Sequence, residues 1–322
     1  MKTLAVIGKI INLSAIKDAD RIMRAEVVCG ESGKWTGVVG LNHHVGELVT
    51  VFLQDAILPP NDRWAFMEKS KWRVRMSRFR GCPSECLIIS GAPDMPIGTD
   101  LTEALGVTKY EKALPASMTG EAVGNFPSFL PKTDEPNYQT VEWRELLSGG
   151  NWYATQKADG SSCMAWVDED GLHVASRNLE LREFGSLNHM TSTHCNQGKT
   201  NSYWIAARKY QLEDMPVGTA VQFELIGEGI QSNPMGIKGI EGRMFGAFKR
   251  DWDGRWHRVG RDEFPNVMPL AELHPVEIYE TEEHLRSAAE IKYANGNHGE
   301  GLVFRSHDQI WSFKVINLLY KD

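Results

Sequence analysis

The sequence predicts an α+β protein of two domains, a small N-terminal OB-fold β-barrel followed by a larger domain of antiparallel sheets with packed helices. Three observations predict it. The chain has 322 residues, too many for one small core and enough for two hydrophobic interiors. Residues 4–90 are short apolar runs cut by turn residues, without a long amphipathic helix. From about residue 138 onwards, helix-length segments mix with strands that meet at Gly-Asp or Asp-Gly turns, the mark of largely antiparallel sheets.

Taken in order, the first runs are LAVIGKIINL, AEVVC, WTGVVG, LVTVFL and CLIIS, punctuated by Gly33, Gly46, Pro59-Pro60 and Pro83. Five brief strands within residues 1–100 suit an OB barrel. Pro93, Pro96, Pro115, Pro127, Pro131 and Pro136 crowd a stretch poor in periodicity, so residues 101–125 are expected to be a linker. The second domain then covers residues 126–322. Its expected helices are VEWRELLS, REFGSLNHM, NSYWIAARKYQLEDM and TEEHLRSAAEIKYAN. Its expected strands are WYATQKA, SCMAWVDE, LHVASRN, TAVQFELIG, RMFGAFKR, EGLVFRS and IWSFKVI.

Apolar content of 42% and charged content of 24% are ordinary for a soluble globular protein. No window reaches 18 uninterrupted apolar residues, and Lys9, Asn12 and Lys17 interrupt the N-terminal apolar run, which reads as a strand. The expectation is a cytoplasmic monomer with no membrane association. Five cysteines without a CxxC pair agree with a reducing compartment. Cys82 and Cys86 with His43-His44, and His189 with His194-Cys195, lack a four-ligand zinc spacing and are read as ordinary residues. A net charge of −7 does not advertise polyanion binding by the chain as a whole. Locally, Lys69, Lys71, Arg73 and Arg75 alternate with Ser70, Trp72 and Val74, which places the cations on one face if the segment is a strand. With Arg78 they could track a phosphate backbone, and Trp72 or Phe79 could stack on bases; a solvated strand face with Trp72 in the core is the other reading.

The chemistry centres on Lys157-Ala158-Asp159-Gly160, followed by Phe223-Glu224, Glu300-Gly301 and Lys314, each at or beside a strand-like run. Such a set suits attack by a lysine amine on the α-phosphorus of ATP. The amine must be neutral, and burial with a nearby cation is expected to lower its pKa. Asp159, on the same strand face as Lys157, can hold a metal or its water, while Gly160 lets the chain turn. Glu224 sits among apolar neighbours, where an unpaired carboxylate would be costly, and so needs a donor or cation. Glycines on both sides of Glu300 would permit close approach of a ligand or metal. Magnesium, with manganese as a substitute, matches these hard oxygens beside substrate phosphates.

With these residues in view, the chain resembles the covalent nucleotidyltransferase superfamily of ATP-dependent ligases and capping enzymes. It is most similar to the RNA ligases that carry an N-terminal OB domain. Lys157-Ala158-Asp159-Gly160 resembles motif I, Ser176-Arg177-Asn178 motif Ia, Phe223-Glu224-Leu225-Ile226-Gly227 motif III and Met244-Phe245-Gly246-Ala247-Phe248 motif IIIa. Glu300-Gly301-Leu302-Val303 resembles motif IV and Ser312-Phe313-Lys314-Val315 motif V. The likeness extends to Ala19-Asp20-Arg21-Ile22, Arg78-Phe79-Arg80-Gly81, Gly106-Val107-Thr108-Lys109-Tyr110-Glu111 and Pro131-Lys132-Thr133-Asp134-Glu135-Pro136.

The resemblance implies that Lys157 takes AMP from ATP, that AMP passes to an RNA 5′-phosphate, and that a 3′-OH displaces it to seal a nick with RNA on the 3′-OH side. It implies that Arg177 contacts ribose or the 5′-phosphate, Glu224 the ribose, Phe248 the adenine face and Lys314 the α-phosphate. Asp159 and Glu300 would hold the metal's waters, Gln156 would accept from the adenine amine, and Ser162 would line the nucleotide site. Three positions depart from the family pattern: Lys314 has Ser312 and Ile316 where a second lysine is usual, Asn137 replaces an arginine, and Lys249 replaces an acidic residue. The short stretch after Lys314 is expected to exclude the C-terminal OB domain of DNA ligases and capping enzymes. A GTP-using guanylyltransferase and an inactive OB-type nucleic-acid-binding protein are the competing readings.

Overall fold

A computed structural model describes residues 3–110, 122–132, 134–183, 201–264 and 266–320. The chain divides into two compact units, one formed by Met1–Ala113 with Gln139–Glu142 and the other by Leu114–Tyr138 with Trp143–Asp322.

In the first unit, strands β1 (Ala5–Ala15), β2 (Ile22–Val28), β3 (Lys34–Gly40) and β4 (Leu48–Phe52) are joined by short pairs β5 (Ala56–Ile57), β6 (Ser77–Phe79), β7 (Cys82–Ser84), β8 (Leu87–Ile89) and β9 (Thr108–Lys109). The main sheet runs β3-β2-β1-β4-β8, the five strands expected. Strand β1 is long enough to pair with β4 through its first half and β2 through its second, and its ladder to β2 is irregular between Ile10 and Asn12. Such an irregularity bends a strand and lets its sheet coil. The sheet nearly closes because the lead-in to β8 returns to β3: Glu85 N–H donates to the Thr36 carbonyl at 2.8 Å and Val38 N–H to Ser84 Oγ at 3.0 Å. Val6, Ile10, Val27, Trp35, Val51 and Ile88 fill one side of the sheet, while the alternate residues Ala5, Ile7 and Phe52 pack with Leu58, Trp64 and Val107 on the other.

Two expectations fail in this unit. The linker does not begin at residue 101, because Leu101 and Val107 are buried in the unit's core and β9 pairs with β5. At the far end of the expected linker, Ala122–Asn125 is a strand of the second unit, and residues 111–121 lie outside the described residues. Nor is Lys69–Arg80 one strand with its cations on one face. Asp62–Ser70 forms 3₁₀ turns, and Lys71 and Trp72 adopt positive φ of 55° and 56°, so alternation is broken where the cations lie. Lys71 and Arg75 are exposed and Arg78 half-buried. Arg73 is tied to Asp55 at 2.7 Å with its guanidinium over the Tyr110 ring, a structural role, and Trp72 packs against the core.

The second unit holds β10 (Ala122–Asn125), β11 (Trp152–Gln156), β12 (Ser161–Asp168), β13 (Gly171–Ser176), β14 (Leu179–Leu181), β15 (Thr219–Gly227), β16 (Ile240–Arg250), β17 (Trp256–Val259), β18 (Leu273–His274), β19 (Gly301–Ser306) and β20 (Ser312–Ile316). Helices α1 (Trp143–Ser148), α2 (Ser202–Lys209) and α3 (Glu282–Ala288) accompany them. The strands form two antiparallel sheets, β10-β14-β13-β12-β15-β16-β17 and β18-β11-β19-β20. Helix α2 starts where the Asn201 side chain accepts from Trp204 N–H, and α3 where Thr281 accepts from His284 N–H, the capping that satisfies otherwise orphaned donors. The helix expected over residues 182–190 falls largely outside the described residues, as do Thr133, His189, His194 and Cys195. The last expected helix stops at Ala288, and Ile291 and Tyr293 continue as buried extended chain.

Alternation in the larger sheet decides where the polar groups go. Cys163, Ala165, Val221, Phe223 and Leu225 pack against Tyr203, Trp204 and Ala207 of α2. Burying each large apolar side chain is worth about 1.5–3 kcal/mol, so this face is held firmly inward. The intervening residues Ser162, Met164, Gln222 and Glu224 therefore share the opposite face, and a one-residue slip would bury the carboxylate against α2.

Candidate active site

Lys157 follows the last residue of β11, and its N–H donates to the Gly301 carbonyl at 2.8 Å, the bond that continues the β11–β19 ladder. That ladder sets the nucleophile candidate beside Glu300: Lys157 Nζ lies 2.6 Å from Glu300 Oε1, both side chains about three-quarters buried. Gly301 is forced by this geometry, because at its φ of +137° a Cβ would stand 2.2 Å from the Val315 carbonyl oxygen. The glycines around Glu300 thus serve chain-to-chain packing, Gly299 lying under Ile291 and Tyr293, rather than the approach of a ligand expected from the sequence. Gly160 is likewise needed for closeness and not for a left-handed turn, since a Cβ there would meet the Leu225 carbonyl oxygen at 2.2 Å.

The segment Lys157–Gly160 is clamped along its length. Tyr293 Oη donates to the Lys157 carbonyl at 2.8 Å and accepts from the N–H groups of Asp159 (3.2 Å) and Glu300 (3.1 Å). Gln231 Nε2 donates to the Gly160 carbonyl at 2.8 Å. Tyr320 Oη donates to Asp159 Oδ2 at 2.5 Å.

The electrostatics differ from the expected lowering of the lysine pKa. Burial does disfavour the Lys157 ammonium, but the Glu300 and Glu224 carboxylates outweigh it, and the pKa stands above its ordinary value. Burial, only partly offset by Lys157, pushes Glu224 up to about 8 and raises Glu300 as well. The ammonium's direct contact partner in this cluster is Glu300, with Glu224 close enough to act on it through charge. Glu224→Gln should therefore gain stability relative to the wild type as pH rises from 5 towards 8. The raised Glu224 pKa gives the folded protein a proton that the unfolded chain has lost in that window, a contribution complete below the ordinary carboxyl pKa and gone above about 8. Thermal melts of both proteins across that range check it, and parallel curves would refute the assignment.

Lys314 lies opposite Val303 in the β19–β20 ladder, its N–H donates to the Pro136 carbonyl at 2.8 Å, and its charge draws down the carboxyls of Glu135 and Glu300. Glu135 is the group that sequence reasoning passed over, together with Arg305, Tyr293 and Tyr320. Burial pushes the Glu135 carboxyl up, yet Arg305 at 2.6 Å brings its net pKa below the ordinary value. Arg305 closes a run of apolar residues in Gly301–Ser306, and a charge in so buried a strand was the available signal. Nothing local marked Tyr293 or Tyr320.

Other expected residues are placed as follows. Ser162 faces Glu224 across the β12–β15 ladder. Gln156, the last residue of β11, pairs with Leu302 and stands immediately before Lys157. Arg177 is half-exposed, with Asp134 at 3.7 Å as its ion partner. Phe248 does not offer a free stacking face: it is 1% exposed among Leu130, Met164, Trp166 and Ala220, with the Arg258 guanidinium 5.3 Å from its ring centroid. Its edge borders a cleft of about 290 Å³ lined also by Lys132, Gln222, Trp256, Arg258 and Ser312. Gln222 and Ser312 are each two residues from Glu224 and Lys314 on the same strand faces, and Glu135 lines the cleft as well, so the cleft adjoins the carboxylate–lysine cluster.

Among the described residues no three His, Cys, Asp or Glu side chains form a metal cage. Asp159, Glu300 and Glu224 nonetheless supply hard oxygens, and such a set fits a divalent ion held largely by water and substrate phosphates.

The chain is similar to known proteins in sequence and in fold. Residues 150–319 match the family model described as RNA ligase, and residues 4–90 match an OB-fold domain model. A Naegleria gruberi RNA ligase variant solved with ATP and Mn is 28% identical, with a TM-score of 0.76 over 98% of this chain and 97% of that one. The same ligase with PPi is 28% identical at a TM-score of 0.75, covering 98% and 97%, and a variant with AMP and Mn is 27% identical at 0.76, covering 98% and 97%. No curated protein sequence matches.

Proposed function

From the premise that this chain belongs to the RNA ligase family and is a ligase enzyme, we propose that it joins a 5′-phosphate to a 3′-OH through a covalent lysyl-AMP on Lys157. The observation that carries this reading is the Lys157–Glu300 contact of 2.6 Å, backed by Glu224 and Lys314 on facing strands. ATP enters with its α-phosphate towards Lys157 and Lys314, and the mixed donors, acceptors and aromatic walls of the adjoining cleft suit the nucleoside.

Attack requires the Lys157 ammonium to give up one proton. The free amine then forms the N–P bond, pyrophosphate leaves with the electron pair of the broken P–O bond, and the second proton leaves the nitrogen. Asp159 and Glu300 are the residues that would hold a magnesium or manganese ion, which when bound supplies the positive charge that neutralises the phosphate. Glu300 is also the contact partner of the Lys157 ammonium, and withdrawing its charge from the lysine would favour deprotonation. Lys314 stabilises charge on the α-phosphate during transfer. In the later steps AMP moves from Lys157 to the 5′-phosphate, and the 3′-OH attacks that phosphate and expels AMP. A 2′-OH on the 3′-terminal nucleotide is the feature that separates RNA from DNA at that end. The exposed Lys71 and Arg75, with the half-buried Arg78, are proposed to meet the RNA backbone, while Arg73 acts through structure.

The test has two parts. Protein given α-labelled ATP and magnesium should become labelled, and it should seal an all-RNA nick and one with RNA on the 3′-OH side faster than an all-DNA nick. Absence of label on active-site protein would end the reading, and labelling by GTP in place of ATP would replace it with guanylyl transfer.

A further inference from the structure

We infer that Tyr293 is a positioning residue for nucleotidyl transfer, its phenol oxygen locking the Lys157 backbone to those of Asp159 and Glu300. The inference rests on the lysyl-AMP reading and adds a group that lies outside every motif quoted for the family resemblance. A phenol has one proton to donate and two lone pairs to accept with, and all three are engaged: the Lys157 carbonyl at 2.8 Å, Asp159 N–H at 3.2 Å and Glu300 N–H at 3.1 Å. These partners come from two strand ends that the β11–β19 ladder alone holds only through the bond from Lys157 N–H to Gly301. Past that bond Ala158–Gly160 has no ladder partner; the tyrosine ties Asp159, and Gln231 holds the Gly160 carbonyl. The ring is 3% exposed and tucked beneath Gly299, where a Cβ would lie 3.2 Å from its Cε1.

The consequence is geometric. With the clamp intact, the lysine amine and the two carboxylates keep fixed separations before ATP arrives, the condition under which a reacting pair gains most from orientation. A misplacement of about 1 Å can lower a rate on the order of a hundredfold without weakening ground-state binding.

Tyr293→Phe removes one oxygen and keeps the ring. The rate of lysyl-AMP formation is measured in single turnover against ATP concentration, with Tyr279→Phe as control, a buried tyrosine whose ring packs on His284 and Phe304. The expected result is a maximal rate roughly ten- to a hundredfold lower in Tyr293→Phe, a half-saturating ATP concentration within about twofold of the wild type, and an unchanged Tyr279→Phe. A maximal rate equal to the wild type, or a loss expressed wholly as a higher half-saturating concentration, overturns the proposal. Should Tyr293→Phe fail to fold, Gly299→Ala takes its place, since the added methyl would meet Ile291 at 2.8 Å and the tyrosine ring at 3.2 Å, and a wild-type maximal rate there overturns it equally. If the wild type itself forms no lysyl-AMP, the underlying reading fails; if it does and Tyr293→Phe matches it, only the clamp does.

Discussion

Lys157→Ala is expected to abolish lysyl-AMP formation, a loss of more than about a thousandfold of the kind seen when a catalytic nucleophile is removed. Intact-mass spectrometry after incubation with ATP and magnesium reads it directly, because only protein bearing AMP gains mass. Lys157→Arg should be equally inactive, since a guanidinium does not deprotonate and cannot attack phosphorus. The two variants should differ in stability. Alanine leaves Glu300 and Glu224 facing one another without their cation, whereas arginine can still neutralise them, so Lys157→Ala should melt below Lys157→Arg. An adenylylated Lys157→Ala protein would mean that a different side chain carries the chemistry.

The second large effect concerns stability. Arg305 is 3% exposed and donates to Glu135 Oε1 at 2.6 Å and Thr155 Oγ1 at 3.1 Å, with its guanidinium 5.1 Å from the Phe245 ring centroid. Removing it leaves a buried carboxylate without its partner, which costs about 3–5 kcal/mol. For a unit of roughly two hundred residues that is a fall of about 6–20 °C in melting temperature. Arg305→Met is the variant to melt. The double variant with Glu135→Leu should recover most of the loss, because well-packed apolar residues in place of a buried ion pair are often neutral or better. A single variant melting within a degree or two of the wild type would show that the pair is not the buried tie described here.

The charge state of the site links these results. The ordinary expectation for a nucleophilic lysine is a lowered pKa, and the cluster around Lys157 does the reverse because two carboxylates outweigh the cost of burial. Activation then depends on the charge at Glu300, whose carboxylate is the ammonium's contact partner at 2.6 Å. Glu300 and Glu224 hold the lysine, whereas Asp159 is tied to Tyr320.

The parts written in local order were legible in the chain. The five strands of the first barrel and seven strands of the second unit follow from apolar periodicity, and Lys157, Glu224, Glu300 and Lys314 from residue type beside those strands. Four strands of the second unit were not anticipated: β10, β14, β17 and β18 are short and sit at or near sheet edges, where one-sided burial leaves little periodic signal. The Lys69–Arg80 segment shows the opposite failure. Its alternation is real in sequence but meaningless in space, because positive φ at Lys71 and Trp72 breaks the extended geometry that alternation assumes.

By itself the sequence determined the two folds and singled out Lys157 and the acidic residues that the fold gathers around it, since each depends on residue type and on neighbours a few positions away. The tertiary structure alone decided the rest: the raised lysine pKa, the pairing of Glu135 with Arg305, the burial of Phe248, and the Tyr293 and Tyr320 contacts. The reason is physical. Electrostatic shifts and hydrogen bonds fall off within a few ångströms, and the groups that cause them here stand more than a hundred residues apart in the chain: Glu300 from Lys157, Arg305 from Glu135, Tyr320 from Asp159.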